Sequence, residues 1–199
     1  MGGRVVIDSH AARYFWQRPY FPSWFVPIAD VDHALVPPGV VVTDDRLPGH
    51  VHVPWSAMEH WFEEDEEVYG HPRDPYKRVD VRESSRHVQV SIAGTVVADS
   101  HHPVLLFETS LPTRYYLPAL DVRFDLLTPT LTSTLCPYKG TARYWSVEVD
   151  GVVHPDLVWS YREPYPDLTK IAGHLCFYNE RVEIAVDGEP LDRPRTVFS

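Results

Sequence analysis

The sequence predicts a mainly β protein made of two related small units with little helix. Three observations predict it. Nineteen prolines are spread over 199 residues, and a chain broken that often has few places for a long helix. Short runs rich in Val, Ile, Thr and aromatic residues recur between turn signals. The chain also matches itself when displaced by 91 positions, the mark of an internal repeat.

In that displacement Gly3, Val5, Val6, Asp8, Ser9 and His10 fall on Gly94, Val96, Val97, Asp99, Ser100 and His101. Pro27, Asp30, Val31 and Leu35 fall on Pro118, Asp121, Val122 and Leu126. Ordinary composition would give about two identities over such a length, not ten. Bulky positions agree in kind: Trp16 with Phe107, Trp24 with Tyr115, Phe25 with Tyr116. Further on, Leu47-Pro48-Gly49-His50 matches Ile171-Ala172-Gly173-His174 at a displacement of 124. The first copy is therefore shorter by about 124 − 91 = 33 residues, and the piece without a counterpart is roughly 133–166. This reading divides the chain into a shortened repeat (1–66), a connector (67–76), a complete unit (77–190) and a C-terminal tail (191–199). The connector carries His71-Pro72-Arg73-Asp74-Pro75-Tyr76, two prolines among mixed charges.

The elements follow in order. Ser56-Ala57-Met58-Glu59 has capping-box spacing and predicts a short helix over 58–62, leading into the acidic run 63–67. The repeat alignment sets that stretch opposite the strand-like 182–186, so two arguments conflict, and the capping box is preferred. The acidic run reads as solvated surface. Strands are predicted at 78–81, 87–93 and 95–99, with Gly94 at the turn between the last two. The apolar run 103–109 suits a strand buried on both faces. Further strands are predicted at 141–149, 152–153, 157–161, 174–178 and 182–186. Asp150-Gly151 and Asp187-Gly188 are hairpin-turn signals.

Lys and Arg number 18 against 28 Asp and Glu, a net charge of −10. Such a chain repels phosphate backbones and anionic lipid, which argues against nucleic-acid and membrane partners. The N-terminal Met1-Gly2-Gly3-Arg4-Val5-Val6 leads into no long apolar run, so neither a signal peptide nor a transmembrane helix is expected. Val6 does not suit an N-myristoylation signal. The two cysteines, Cys136 and Cys176, form no Cys-x-x-Cys pair and read as reduced cytoplasmic thiols. The 11 histidines are scattered without a His-Glu-x-x-His pattern. No metal and no cofactor is therefore expected.

The second unit contains Leu106-Phe107-Glu108-Thr109, Arg114-Tyr115-Tyr116-Leu117-Pro118 and Asp121-Val122. Cys136-Pro137-Tyr138-Lys139-Gly140-Thr141-Ala142, Tyr144-Trp145 and Trp159-Ser160-Tyr161 follow. Ile171-Ala172-Gly173 and Phe177-Tyr178 end the series. This order resembles the DUF427 family, a domain of unknown function also labelled nucleotidyltransferase-like, over roughly 80–190. The segments Phe62-Glu63-Glu64-Asp65-Glu66 and His71-Pro72-Arg73-Asp74-Pro75-Tyr76 resemble those of tandem, two-unit members. The resemblance implies small β-rich units of the Mss4-like or β-tent kind. Relatives of that fold often hold zinc with two Cys-x-x-Cys pairs, which this chain lacks. Nor does a Gly-rich phosphate loop accompany the transferase label. One departure stands inside the resemblance: Ser110 occupies the place of Gly in Glu-Thr-Gly-Leu-Pro.

Candidate site residues concentrate in the second unit, because Gln17 stands where it has Glu108 and the unmatched segment holds most of the others. Glu108 ends an apolar run; burial there would raise its pKa and suit a general acid or base. The alternative is a strand-end Glu paired with Lys139 or Arg114. Lys139, between Tyr138 and Gly140, could hold a carboxylate, phosphate or oxyanion, or form a Schiff base. Cys136 is a candidate nucleophile with His174 as its nearest base by pattern, or else a packing cysteine. Tyr116, Arg114, Tyr138, Trp145, Trp159, Tyr161 and His174 are candidate ligand-binding residues, the aromatic ones lining a pocket or simply filling the core. His10 and His101, in the same Asp-Ser-His context, read as repeated turn residues. Two function classes stay open: a cofactor-independent enzyme acting on a small molecule by isomerisation, elimination or hydrolysis, and a non-catalytic binding or sensing module. The expected partner is a small molecule in both. The sequence leaves the oligomeric state open, a homodimer included.

Overall fold

β-Strands carry both halves of the chain, and every helical segment among the described residues is a short 3-10 turn. The computed structural model describes residues 3–19 and 21–199. Met1 and Gly2, on which the N-terminal signal reading partly rests, and Tyr20 lie outside the described residues. Two units divide the chain, Met1–Tyr76 and Lys77–Ser199.

In the first unit, β1 (Arg13–Arg18), β2 (Phe21–Pro27) and β3 (His50–Val51) form an antiparallel sheet in that order. Val6, Val26, Val31, Val36 and Val51 make its core. The helix expected over 58–62 is absent. Trp55–Ala57 forms a 3-10 turn with no side-chain cap, and β4 (Phe62–Glu63) pairs with β5 (Glu66–Glu67) in a tight hairpin. Tertiary contacts override the capping-box pattern. Trp61 stacks on Trp55 at 5.1 Å and donates its indole N–H to the Trp55 carbonyl at 3.0 Å. His60 lies 2.6 Å from Glu67 across the hairpin.

The second unit comprises β6 (Val79–Glu83), β7 (Val88–Ile92), β8 (Thr95–Ser100), β9 (Val104–Glu108), β10 (Arg114–Leu117), β11 (Leu127–Cys136), β12 (Gly140–Val149), β13 (Val152–Tyr161), β14 (Leu175–Phe177), β15 (Glu183–Val186) and β16 (Glu189–Pro190). Seven of these form one antiparallel sheet in the order β11-β12-β13-β14-β10-β9-β6, and four form a second in the order β16-β15-β7-β8. The turn signals act as expected. Ala93-Gly94, Asp150-Gly151 and Asp187-Gly188 all have both residues at positive φ, the twist that two-residue hairpins need. The runs at 152–153 and 157–161 join in one strand, β13, which passes through Asp156 at φ 46°.

Alternation along the strands gives the large sheet two dissimilar faces. One packs on the small sheet through Leu117, Val147, Val158, Leu175 and Phe177 against Val88, Val90 and Ile184. The other carries Val81, Leu106, Tyr116, Tyr144, Trp159 and Tyr161, and Leu168 and Ile171 of the 3-10 turn Pro166–Ile171 pack there. Glu108 and Arg114 belong to this second face, since Glu108 follows Leu106 by two residues and Arg114 stands opposite Leu106.

The two units share local geometry at the displacements seen in the sequence. In β1–β2 Arg13 faces Phe25 and Tyr14 faces Trp24; in β9–β10 Val104 faces Tyr116 and Leu105 faces Tyr115. Val26 faces Val51, as Leu117 faces Leu175. Ser9 donates its hydroxyl to Asp30 at 2.6 Å, and Ser100 does the same to Asp121 at 2.6 Å. Strands β12 and β13 lie wholly within residues 133–166.

Ser110, the residue in the place of Gly, has φ 69° in the turn where the Leu111 N–H reaches the Glu108 carbonyl at 3.1 Å. A side chain there costs about 1 kcal/mol that glycine would not. Ser110→Gly should therefore stabilise the fold by about 1 kcal/mol in a urea melt; equal or lower stability would show that the Ser110 side chain contributes more than the strain costs.

Candidate functional site

Glu108 ends β9 with its side chain only 5% exposed, and two lysines meet it. Lys139 Nζ donates to Oε2, and Lys77 Nζ lies 2.8 Å from Oε1. Each carboxylate oxygen thus has its own cation. The lysine side chains keep slightly more accessibility, 11% for Lys139 and 14% for Lys77. The Lys77 ammonium also sits 5.1 Å from the centre of the Tyr138 ring.

The chain places these groups by strand register and one hairpin. Val79 pairs with Glu108, so Lys77, two residues before Val79, falls on the same side as Glu108. Cys136 pairs with Gly140, and Pro137, Tyr138 and Lys139 form the loop between β11 and β12. Gly140 has φ 98°, and a Cβ there would lie 3.2 Å from the Glu163 carbonyl, so the loop needs glycine at this point. The Tyr165 N–H donates to the Lys139 carbonyl at 3.3 Å and fixes the loop's outer side.

Burial alone would push the Glu108 carboxyl up, but Lys139 and then Lys77 outweigh it and hold the group below its ordinary value. This corrects the sequence expectation of a raised pKa. Two ammonium groups favour the ionised form more than burial opposes it. Glu108 is thus an ionised carboxylate at neutral pH, able to accept a proton and not poised to give one. Tyr161 is pushed up, first by burial and then by its neighbours Cys136, Tyr144 and Glu108. Tyr116 is fully buried and pushed well up by burial; Glu108 is among the charges that act on it.

A second cluster occupies the same face. Arg114 grips Glu180 with two parallel hydrogen bonds of 2.7 and 2.8 Å and donates to Asn179 at 3.0 Å. The rings of Trp159, Tyr178 and Phe198 lie 5.6, 6.0 and 5.7 Å from its guanidinium carbon. Thr196 adds a 2.6 Å hydrogen bond to Glu180. Burial opposes both charges of this pair, yet their mutual contact raises Arg114 and lowers Glu180.

The candidate residues therefore separate. Lys139 and Lys77 meet the Glu108 carboxylate, Tyr138 lies beside Lys77, and Tyr116, Tyr161 and Cys136 belong to the apolar cluster on the same face. Arg114 and Trp159 belong to the Glu180 cluster, with Trp159 donating to the Tyr116 hydroxyl at 3.1 Å as a link between the two. Arg114 does not pair with Glu108; Lys77 takes that role. Trp145 stands opposite Val158 on the other face and packs into the core between the sheets. His174 turns Nδ1 toward the Ala172 carbonyl at 3.2 Å, and among the described residues no hydrogen bond joins it to Cys136. A pocket of about 240 Å³ is lined by Thr113, Tyr115, Asn179, Asp192 and Pro194 among others, none of them from the Glu108 cluster. Sequence reasoning missed Lys77, although a strand ending at Glu108 and paired with 79–83 would have pointed to it.

The cysteines differ in access. Cys176 is fully buried and its thiol is pushed up to about 12, first by burial. Cys136 is partly exposed. Iodoacetamide on the native protein should modify Cys136 and spare Cys176 until denaturant is added, as read by mass spectrometry. Native labelling of Cys176 would contradict this packing.

Glu108 and Glu180, both held below the ordinary glutamate value of about 4.3, also set a pH dependence. A depressed folded pKa adds stability that is complete above the ordinary value and is lost as pH falls through the folded one. Stability from urea melts should fall as pH drops below about 4.3, and less steeply in Glu108→Gln. Identical slopes in the two proteins would contradict the ionised pair.

No helix among the described residues is long and apolar enough to cross a membrane. Among curated proteins, none matches this sequence. A family model described as a domain of unknown function (DUF427) matches residues 80–188. That span includes β7 to β15 and all of the Glu108 and Arg114 clusters except Lys77, Thr196 and Phe198. It covers more than half of the chain, which belongs to the DUF427 family.

Proposed function

We propose that the second unit binds a small anionic molecule at Lys77, Glu108 and Lys139 and acts on it by proton transfer without a cofactor. The observation that carries this reading is a buried carboxylate flanked by two ammonium groups. The three groups sum to +1 in a chain whose net charge is −10. An approaching ligand meets the lysines, the more accessible members, before Glu108. Once an anion engages a lysine, Glu108 loses part of its stabilisation, and its pKa rises toward that of a useful base. It then takes a proton from the substrate and becomes neutral, while the negative charge left behind is held by the ammonium groups. Return of the proton at another atom completes an isomerisation; loss of a leaving group completes an elimination. Tyr138 and Tyr161 flank this site.

A second reading, non-catalytic binding or sensing, is favoured by one feature. Both Glu108 oxygens are already engaged, so a ligand that merely replaces the carboxylate at one lysine would bind without reaction. Two unpaired thiols suit a reducing, cytoplasmic setting for either.

We further propose that the first unit is a shortened relative of the second, supported by the shared registers and the paired Ser–Asp hydrogen bonds. It carries Gln17 in the place of Glu108, and the chemistry is assigned to the second unit.

A panel of small carboxylates and phosphate esters tests the function by thermal shift, followed by NMR of the mixtures for conversion. The expected result is an anion that raises Tm of the wild type but not of Lys139→Ala, and whose conversion is lost in Glu108→Gln. Binding without conversion gives the second reading. A shift that persists in Lys139→Ala and Lys77→Ala, or no shift at all, overturns both.

A further inference from the structure

We propose that His87, Asp99 and His101 form a binding site for a divalent transition-metal ion of the zinc type on the solvent face of the small sheet. The site follows from strand register. Val88 pairs with Ser100 and Gln89 with Asp99 in β7–β8. His87 and His101 extend this ladder by one step at its open end and stand opposite each other. Val88 and Ser100 are buried, so the residues flanking them, His87, Gln89, Asp99 and His101, form a block on the outer face.

The three ligand atoms lie within 4.8 Å of one another. Bonds of about 2.0–2.2 Å to one tetrahedral ion set ligand atoms about 3.3–3.6 Å apart, so the three side chains must rotate inward to close on it. The two imidazoles stack at 4.2 Å with an interplanar angle of 12°, so one ring turns out of the stack when both nitrogens face the ion. His87 Nε2 lies 2.7 Å from one Asp99 oxygen, and the Gln89 amide donates to the other at 3.0 Å. Gln89 thus orients the carboxylate from outside the ligand set, a role that outer partners have in metal sites. The His87 backbone N–H donates to Asp187 at 3.0 Å, which fixes the backbone of this ligand.

The ligand types decide the ion. Two imidazoles and one carboxylate suit Zn²⁺, Co²⁺, Ni²⁺ or Cu²⁺, whereas Mg²⁺ and Ca²⁺ prefer all-oxygen sites. Three protein ligands leave at least one coordination position for water or another donor. The sequence gives no sign of this site, because His87 lies 12 residues before Asp99 and no short motif links them. The first unit repeats Asp99-Ser100-His101 as Asp8-Ser9-His10. The proposed site lies in the second unit and is independent of the Glu108 site.

The test uses the full chain, stripped with a chelator and dialysed, in titrations with Zn²⁺ by calorimetry and Co²⁺ by visible absorption. The expected result is one ion per chain. His87→Ala and His101→Ala should each weaken binding at least about tenfold, with Gln89→Ala weaker by about tenfold through lost orientation. His154→Ala, outside the cluster, should bind like the wild type. Circular dichroism checks that each variant is folded; the residues are at the surface, so the fold should survive. No saturable ion, or equal affinity in the His87→Ala, His101→Ala and His154→Ala proteins, overturns the proposal.

Discussion

Arg114→Met should destabilise the second unit by about 3–5 kcal/mol, the usual cost of removing one partner from a buried ion pair. The Glu180 side chain has 0% exposure, and two of its hydrogen bonds come from Arg114. Without the guanidinium, whose neighbours are the rings of Trp159, Tyr178 and Phe198, that carboxylate keeps only Thr196 as a side-chain donor. The double variant Arg114→Met, Glu180→Leu removes both charges and should recover much of the loss, since the penalty comes from the orphaned charge. Urea melts of the two variants and the wild type measure both effects. A loss below about 1 kcal/mol in Arg114→Met would mean that water reaches Glu180 and that the pair acts as a surface bridge.

Glu108→Ala should cost about 3 kcal/mol, near the lower end for a broken buried pair. Two cations lose their shared anion at once, but both lysines retain some accessibility and can extend their stems toward water. The contrast with Glu108→Gln is informative. Glutamine keeps the shape and one acceptor oxygen, so the difference between the two variants separates packing from charge. Lys77→Met with Lys139→Met in the Glu108→Ala background should restore stability, because the unit then has neither charge to desolvate. If Glu108→Ala melts like the wild type, the lysines do not depend on Glu108 and the cluster is not held together by its charges.

Much of this was legible in the sequence, for reasons that can be stated. The hairpins at Asp150-Gly151 and Asp187-Gly188 were readable because φ > 0 at two successive positions is demanded by few turns and met by few residues. The pairing of Glu108 was legible only as an alternative, with Lys139 or Arg114 as its partner, because an apolar run ends in a carboxylate there. Strand β11 was missed: Leu127–Cys136 has Thr at every second position from Thr128 to Thr134, a strand pattern, but it lies mostly exposed at the sheet edge and offers no buried apolar face. The false helix at 58–62 shows the opposite failure, a strong local pattern overruled by the stacking of Trp55 and Trp61. Trp145 could not be separated from Trp159 by type. Only the register, Trp145 opposite Val158 and Tyr144 opposite Trp159, sends the two indoles to opposite faces. Arg114 reads as a ligand-binding residue or a partner of Glu108, not as the partner of Glu180, which is 66 residues away.

The site depends on Glu108 being an ionised carboxylate held between Lys77 and Lys139. Carbon-13 NMR of the glutamate carboxyl groups, titrated through the acid range with Glu108 assigned from the Gln variant, measures this directly. The predicted result is a Glu108 pKa below the ordinary value of about 4.3 that rises in Lys139→Ala. A Glu108 that titrates above that value in the wild type, or is unmoved by loss of Lys139, would contradict the account.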